Sequence, residues 1–179
     1  MLIAAGESDS TEFKSSLHHP HGPLPPDLQD KVEQKLLQPA QAQKKVQKGM
    51  RTAVTKTIAA FLNTSGGTLL IGVDDSGTVL GIEPDFPYLK AGKQDADGWL
   101  LSLQDVIINA LDPDVWSAIH VSLVRHGPGT VAVVQCPPRP GETWHREDDG
   151  ECFYVRASNA TRQLHGSSLV RYIRERWPA

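Results

Sequence analysis

The sequence predicts an α+β fold in which a mixed β-sheet packs against helices. Segments with helical apolar spacing alternate with short apolar strands, and two of those strands are joined by a tight turn. With 179 residues and a hydrophobic fraction of 39%, the chain can form one apolar core, whereas two separate domains would each be marginal. We therefore expect residues 1–179 to form a single domain.

Four segments have apolar side chains at the spacing of an amphipathic helix. Their approximate ranges are 27–38, 44–63, 95–111 and 167–177. The first follows an irregular loop, residues 18–26, that contains four prolines, and it is interrupted by Pro39. The second ends at Gly66 and Gly67, because glycine adopts the left-handed conformation of a helix C-cap. We favour this helix-capping role of the two glycines over a glycine-rich loop that binds a nucleotide.

Six segments have the composition of β-strands. They are Thr11–Ser15, Leu69–Asp74, Thr78–Ile82, Ala118–Val124, Val131–Cys136 and Cys152–Arg156. Leu69–Asp74 is apolar on both faces, which is typical of a central strand. The tight turn that follows it predicts that Thr78–Ile82 is its hairpin partner.

Basic residues concentrate in two segments of a chain whose net charge is −3. Residues 31–56 hold seven Lys or Arg against one acid, and residues 156–176 hold five Arg against one acid. The basic residues are Lys31, Lys35, Lys44, Lys45, Lys48, Arg51, Lys56, Arg156, Arg162, Arg171, Arg174 and Arg176. They indicate either solvated helix faces or local surfaces for a polyanion, since the total charge would not attract one.

The sequence contains two cysteines, no signal-peptide pattern and no apolar run near the roughly 20 residues of a membrane helix. We therefore expect a cytoplasmic protein with reduced thiols and no membrane contact. His145 lies between Cys136 and Cys152, but the spacing matches no standard zinc pattern. We therefore interpret the two cysteines as ordinary residues of β-strands rather than as metal ligands.

Two glutamates near the start of the chain are candidates for a reactive site. Glu7 and Glu12 stand five residues apart in GESDSTEFKSS. If the segment from Thr11 is a strand, Glu12 and Lys14 share one of its faces. Glu7 joins them only if the chain turns at residues 8–10, whose Ser-Asp-Ser composition suits a turn.

The strand that ends on Asp74 and Asp75 would add a third carboxylate if its end lies beside that segment. Converging carboxylates repel one another unless a cation is present, and an all-oxygen ligand set suits Mg²⁺ or Mn²⁺. The alternative is that these acids are surface residues in turns. The chain has no nucleophile elbow and no phosphate-binding loop. Three histidines are further acid–base candidates in a solvated loop that positions them poorly: His18, His19 and His21.

Three blocks of the chain together resemble the signature of the Schlafen AlbA-like family, of the AlbA_2 type. The blocks are GESDSTEFKSS, TIAAFLNTSGGTLLIGVDDSGTVLGI and CFYVRASNATRQL, and they span residues 6–164 in the family's order. The resemblance implies a single Schlafen-core-like lobe, as in prokaryotic members. Residues from about 18 to 45 would be a Pro/Lys-rich insertion, and the third block lacks the family's usual glycine.

The resemblance also implies an activity. Characterised Schlafen proteins are metal-dependent endoribonucleases that cut transfer and ribosomal RNA. Glu7, Glu12 and Asp75 occupy the positions of their catalytic carboxylates and would hold Mg²⁺ or Mn²⁺, with Asp74 as a neighbouring acid. We therefore expect an endoribonuclease that acts on structured RNA such as tRNA, in stress or phage defence.

The residues expected to bind the RNA backbone are basic. They are Lys14, Lys44, Lys45, Lys48, Arg51, Arg156 and Arg162. For Arg156 and Arg162, pairing with carboxylates or helix ends is the alternative role. DNA is an alternative ligand, and a homodimer would rebuild the two-lobed groove of the vertebrate members.

Two other functions fit the same residues. One is a non-catalytic regulatory module that binds DNA or RNA through the basic faces, with the acids serving only structure. The other is a protein-interaction domain with no nucleic-acid role.

Overall fold

The β-strands form two sheets. The structure is a computed structural model that describes residues 2–178. The first sheet contains β1 (Thr11–Lys14), β2 (Gly67–Ile71), β3 (His120–His126) and β4 (Gly129–Cys136), in the order β1-β2-β4-β3. β1 is parallel to β2, whereas the other pairs are antiparallel. The second sheet is an antiparallel meander of β5 (Trp144–Glu147), β6 (Gly150–Ala157) and β7 (Ala160–Leu164). The predicted α+β class and mixed sheet are confirmed.

Seven helical segments accompany the sheets in residues 2–178. They are α1 (Leu2–Ala5), α2 (Pro26–Glu33), α3 (Pro39–Asn63), a 3₁₀ helix (Glu83–Tyr88), α4 (Ala96–Ala110), α5 (Val115–Ala118) and α6 (Gly166–Arg176). All four helices expected from the sequence are present. None of the helices in the described chain is long and apolar enough to cross a bilayer.

The bounds of the first two predicted helices were wrong around Pro39. α2 ends at Glu33, and Lys35 has a φ of 59° that a continuing helix does not allow. Pro39 begins α3 rather than merely interrupting a helix, because proline at the first helical position loses no hydrogen bond.

The predicted hairpin partner Thr78–Ile82 returns antiparallel but is not a continuous strand. Asp74 N–H donates to the Thr78 carbonyl at 3.0 Å and Leu80 N–H to the Gly72 carbonyl at 2.8 Å, on either side of a bridge between Val73 and Val79. The N–H of Ile82 donates to Thr130 on β4 at 2.9 Å. A Cβ on Gly72 would lie 2.9 Å from the backbone of Gly81, so glycine allows the two segments to approach. β5 and β7 were not predicted, because these strands are short and largely polar.

The main core lies between the first sheet and the helices. Leu69 and Ile71 of β2 are buried against Ile58 of α3 and against Trp99 and Leu103 of α4. A smaller cluster covers the other face of the sheet, where Phe13, Leu70, Val73 and Val131 are buried and Ile3 of α1 packs on them. β2 is therefore apolar on both faces, as the sequence predicted.

α3 also supports the second sheet, and Asn63 at its end forms the joint. The Asn63 carboxamide is fully buried. Its Nδ2 donates to the carbonyls of Thr143 and Tyr154, each at 2.9 Å, and its Oδ1 accepts from the N–H of Thr143 at 2.8 Å. The Tyr172 hydroxyl of α6 donates to the Asn63 carbonyl at 2.6 Å. One residue thus fixes β5, β6 and α6 relative to α3.

The loop after β1 is held by a buried carboxylate, Asp85. Its oxygens accept from the backbone N–H groups of Leu17, His18 and His19 at 2.6–3.0 Å, and from the Trp99 indole N–H at 2.8 Å. The ring of His18 is buried and bonds Ser102 at 2.8 Å. The expectation of a solvated histidine loop is therefore wrong for His18.

Replacing Asn63 with alanine should lower the free energy of unfolding by about 3 kcal/mol, because two buried carbonyls and one buried N–H lose their partners. Urea denaturation followed by circular dichroism measures this change. Asn159→Ala, in the exposed β6–β7 turn, is the matched control and should change stability by less than about 0.5 kcal/mol. Equal stabilities of the two variants would contradict the role of Asn63.

Asp85 should make stability depend on acid pH. Burial, the largest single influence, raises the pKa of Asp85, but hydrogen bonds from Ser16, Trp99 and the backbone outweigh it, so the pKa lies below its ordinary value. The stabilisation is therefore fully present above the ordinary carboxyl pKa of about 4 and is lost as pH falls through the folded-state pKa. Asp85→Asn should be less stable than wild type at pH 7, and its stability should fall less steeply as the pH is lowered. The exposed control Asp105→Asn should keep the pH dependence of wild type. Parallel stability profiles for Asp85→Asn and wild type would contradict this prediction.

Candidate nucleic-acid face and carboxylate cluster

β1 is the outer strand of the first sheet, and Glu7 closes part of its open edge. The carbonyl of Ser10 accepts a hydrogen bond from Thr68 of β2 at 2.8 Å. Phe13 lies three positions after Ser10, so its backbone N–H and C=O groups point to the other side of β1, away from β2. Its N–H donates to Glu7 Oε1 at 2.8 Å. The chain does turn before β1, since Ser8 N–H donates to the Thr11 carbonyl at 2.9 Å.

Glu12 is the centre of an ion cluster that joins the two sheets. Its Oε1 accepts from Lys14 Nζ at 2.5 Å, and its Oε2 accepts from Arg156 Nη1 of β6 at 2.9 Å. The Arg156 side chain is only 4% exposed; it also donates to the Ser8 carbonyl at 2.8 Å and lies 5.0 Å from the Phe61 ring centre. The cluster therefore contains two cations and one carboxylate.

The two adjacent aspartates after β2 have different environments. Asp74 Oδ1 accepts from the N–H and hydroxyl of Ser76 and from the N–H of Thr78, at 2.6–2.9 Å. The hydrogen bonds from Ser76 and Thr78 hold the pKa of Asp74 below its ordinary value. Asp75 is exposed. Asp74 therefore shapes the turn, and Asp75 presents its carboxylate to solvent.

The predicted metal ligands do not fit a divalent ion as they are arranged. Within residues 2–178, no group of three or more His, Cys, Asp or Glu side chains could hold a metal ion. Both carboxylate oxygens of Glu12 accept from cations, and Glu7 Oε1 accepts from a backbone N–H. A divalent ion at Glu12 would have to share its carboxylate oxygens with Lys14 and Arg156 or displace them. Mg²⁺ or Mn²⁺ therefore stays a prediction from the family resemblance.

The predicted RNA-binding residues fall into separate groups. Lys44, Lys45 and Lys48 are exposed on α3, and Arg51 is partly exposed one turn further on. The spacing of Lys44, Lys48 and Arg51 by four and three residues places them on one side of the helix. Arg162 is exposed on β7. Lys14 and Arg156, in contrast, belong to the Glu12 cluster.

The structure adds a cleft that the sequence analysis missed. Arg146 of β5 and Asn109 of α4 lie beside the α3 residues Lys48 and Arg51, and His145 is buried behind them. Burial lowers the pKa of His145 to about 4, so its ring is neutral at physiological pH. No local sequence signal indicates this group, because its members come from three distant segments.

Comparison with known proteins supports the resemblance. A family model described as Schlafen, AlbA_2 matches residues 27–165. The matched region includes the second and third blocks and Asp75. It begins after Glu7 and Glu12, so these two predicted site residues lie outside it.

The fold has a counterpart among solved structures. The DIP2311 protein from Corynebacterium diphtheriae is similar with a TM-score of 0.53 and 16% sequence identity. The similarity covers 96% of this chain and 28% of that chain. At this identity the likeness shows the fold alone, and this chain spans less than a third of the other protein.

Arg156→Ala should destabilise the protein by about 2–4 kcal/mol, because it removes a buried partner of Glu12 and a link between the sheets. Arg162→Ala is the control, since it removes an exposed arginine from the next strand. Thermal and urea unfolding of both variants measure the difference. An Arg156→Ala protein as stable as the control would show that the ion cluster does not hold the sheets together.

Proposed function

Because this chain belongs to the Schlafen AlbA_2 family, we propose that it binds nucleic acid, and RNA foremost, through the basic side of α3. The observation that carries the proposal is the group of four cations, Lys44, Lys45, Lys48 and Arg51, on the part of α3 that precedes its buried C-terminal half. A local cationic surface of this kind binds phosphates although the chain's net charge is −3.

The side chains in this group suit contact with a phosphate backbone. Lys48 pairs with Asp148 at 2.5 Å, but their side chains are 59% and 80% exposed. Such an exposed pair is worth at most about 1 kcal/mol, so a phosphate can replace the carboxylate. Lysine and arginine contacts to phosphates fix position rather than sequence. The proposed ligand is therefore recognised by shape and charge, as structured RNA such as tRNA is. DNA is the alternative ligand.

A second candidate function is the metal-dependent endoribonuclease that the family resemblance implies. One observation favours it: the Lys14 carbonyl accepts from the N–H groups of both Gly72 and Val73, at 2.8 and 3.2 Å. The chain that leads to Asp75 thus starts beside the strand that carries Glu12. Mg²⁺ or Mn²⁺ at this site would share the Glu12 carboxylate with the cations that now contact it, or displace them. Roles in stress or phage defence and a homodimer stay predictions.

Replacing Lys44, Lys45 and Lys48 together with glutamine should weaken RNA binding. The slope of log Kd against log salt concentration should fall by about 2, because each lost phosphate contact removes roughly 0.7–0.9 from it. Fluorescence anisotropy with labelled tRNA at several salt concentrations measures both. The control replaces Lys31, Lys90 and Lys93, which are exposed elsewhere. If both triple variants bind with the same slope, the α3 surface is not the binding face.

The nuclease candidate is tested best with Asp75→Asn, because exposed Asp75 can be changed without breaking the ion cluster that a Glu12 variant disturbs. Wild type and variant are incubated with total tRNA, with Mn²⁺ or with chelator, and the products are separated on a denaturing gel. Metal-dependent fragments from wild type alone would establish the nuclease. RNA that is bound but not cut would leave the binding module as the function.

A further inference from the structure

A cleft lies between α3, the C-terminal half of α4, and β5. It consists of two adjoining cavities of ≈ 260 Å³ and ≈ 300 Å³. The residues that line both are Lys48, Thr52, Asn109, His145 and Arg146. Arg51, Thr55, Val106 and Ala110 complete the first cavity, and Glu147 and Asp148 complete the second. The cleft opens on the side of α3 that carries the proposed nucleic-acid face, so it extends that face inward.

Arg51 is the unusual cation of this cleft. It is partly buried, and burial lowers its pKa. Within residues 2–178 no carboxylate forms an ion pair with it, although most of the other partly buried cations have such partners. A guanidinium that has lost water without gaining an anion is stabilised by any anion that enters the cleft.

The neighbouring cations are already positioned. Arg146 donates to the Leu111 carbonyl at 2.5 Å and to Asp112 Oδ1 at 3.0 Å, which fixes it at the end of α4. The Lys48 side chain pairs with exposed Asp148 at the rim. Among the described residues, the cleft thus presents three cations, Lys48, Arg51 and Arg146. Of the acids near them, Asp112 and Asp148 are at the surface, and Glu147 pairs with Lys56.

Among the described residues, no carboxylate lines the first cavity, which contains Arg51. His145 in its wall is neutral, and its Nε2 lies 2.8 Å from Thr55 Oγ1. Glu147 lines the second cavity, where it pairs with Lys56 at 2.9 Å and accepts a hydrogen bond from the Tyr154 hydroxyl. The apolar side chains of Val106 and Ala110 lower the local dielectric, which strengthens a charge–charge contact.

We infer that this cleft binds a single phosphate group of the nucleic acid held along α3, with Arg51 as its main ligand and Lys48, freed from Asp148, as the second. The inference rests on the proposed nucleic-acid binding. Arginine suits this role because its planar fork matches two phosphate oxygens at once. Lys48 and Arg51 lie one helical turn apart, so together they take one phosphate while the rest of the ligand lies on the exposed lysines.

The first experiment tests the cleft without assuming that nucleic acid binds. The Nε–Hε signal of Arg51, assigned by its loss in Arg51→Lys, is followed by NMR during titration with inorganic phosphate and then with an RNA oligonucleotide. A saturable shift with both ligands, absent with sodium chloride at equal ionic strength, is expected. No shift with phosphate would overturn the cleft as an anion site. A shift with phosphate but none with bound RNA would overturn its use by nucleic acid.

The second experiment measures the contribution of Arg51 to RNA binding. Arg51→Ala should raise the Kd for RNA about tenfold or more and lower the salt slope by about 1. Arg171→Ala, which removes an exposed arginine of α6, is the control and should leave both unchanged. Wild type that binds RNA together with an equally tight Arg51→Ala would overturn the inference and leave the proposed function standing. Wild type that does not bind RNA at all would instead refute the proposed function.

Discussion

The arrangement of this protein depends on the buried carboxamide of Asn63 at the end of α3. Its side chain bonds the backbone of Thr143 and Tyr154, and its own carbonyl accepts from Tyr172. The second sheet and α6 are therefore attached to the same helix that forms the core with the first sheet. Gly66 and Gly67 follow directly, where a Cβ would collide with Cys136 and with the Phe61 ring. The helix, turn and strand can pack this closely only without those side chains.

α3 consequently has two different ends. Its C-terminal half is enclosed by both sheets, and Val54, Ile58 and Leu62 are fully buried there. Its N-terminal half extends away from the core, so its basic side chains remain in solvent. The transition between the two halves falls at Arg51, which is partly buried and has no carboxylate partner among the described residues. The same helix therefore supplies stability at one end and the surface proposed to bind phosphates at the other.

The Glu12 side chain is only 13% exposed, so its negative charge needs a cationic partner. In this fold Lys14 and Arg156 supply it from within the chain. Arg156 also donates to the Ser8 carbonyl and so links β6 to the loop before β1. The ion cluster therefore contributes to the contact between the two sheets. The metal ion that the second candidate function requires would use the same carboxylate oxygens.

The sequence by itself determined the fold class, the existence of the long helices, the central position of β2 and the family, because apolar periodicity and the motif blocks are local properties. It also predicted that Glu12 and Lys14 share a face of β1, which follows from strand parity. Only the tertiary structure decided that Arg156 pairs with Glu12, that Asp85 holds the loop after β1, and that Arg146 joins Arg51 in a cleft. These partners are separated by 66 to 144 positions in the chain. Such contacts depend on how the elements pack, and no local pattern encodes them.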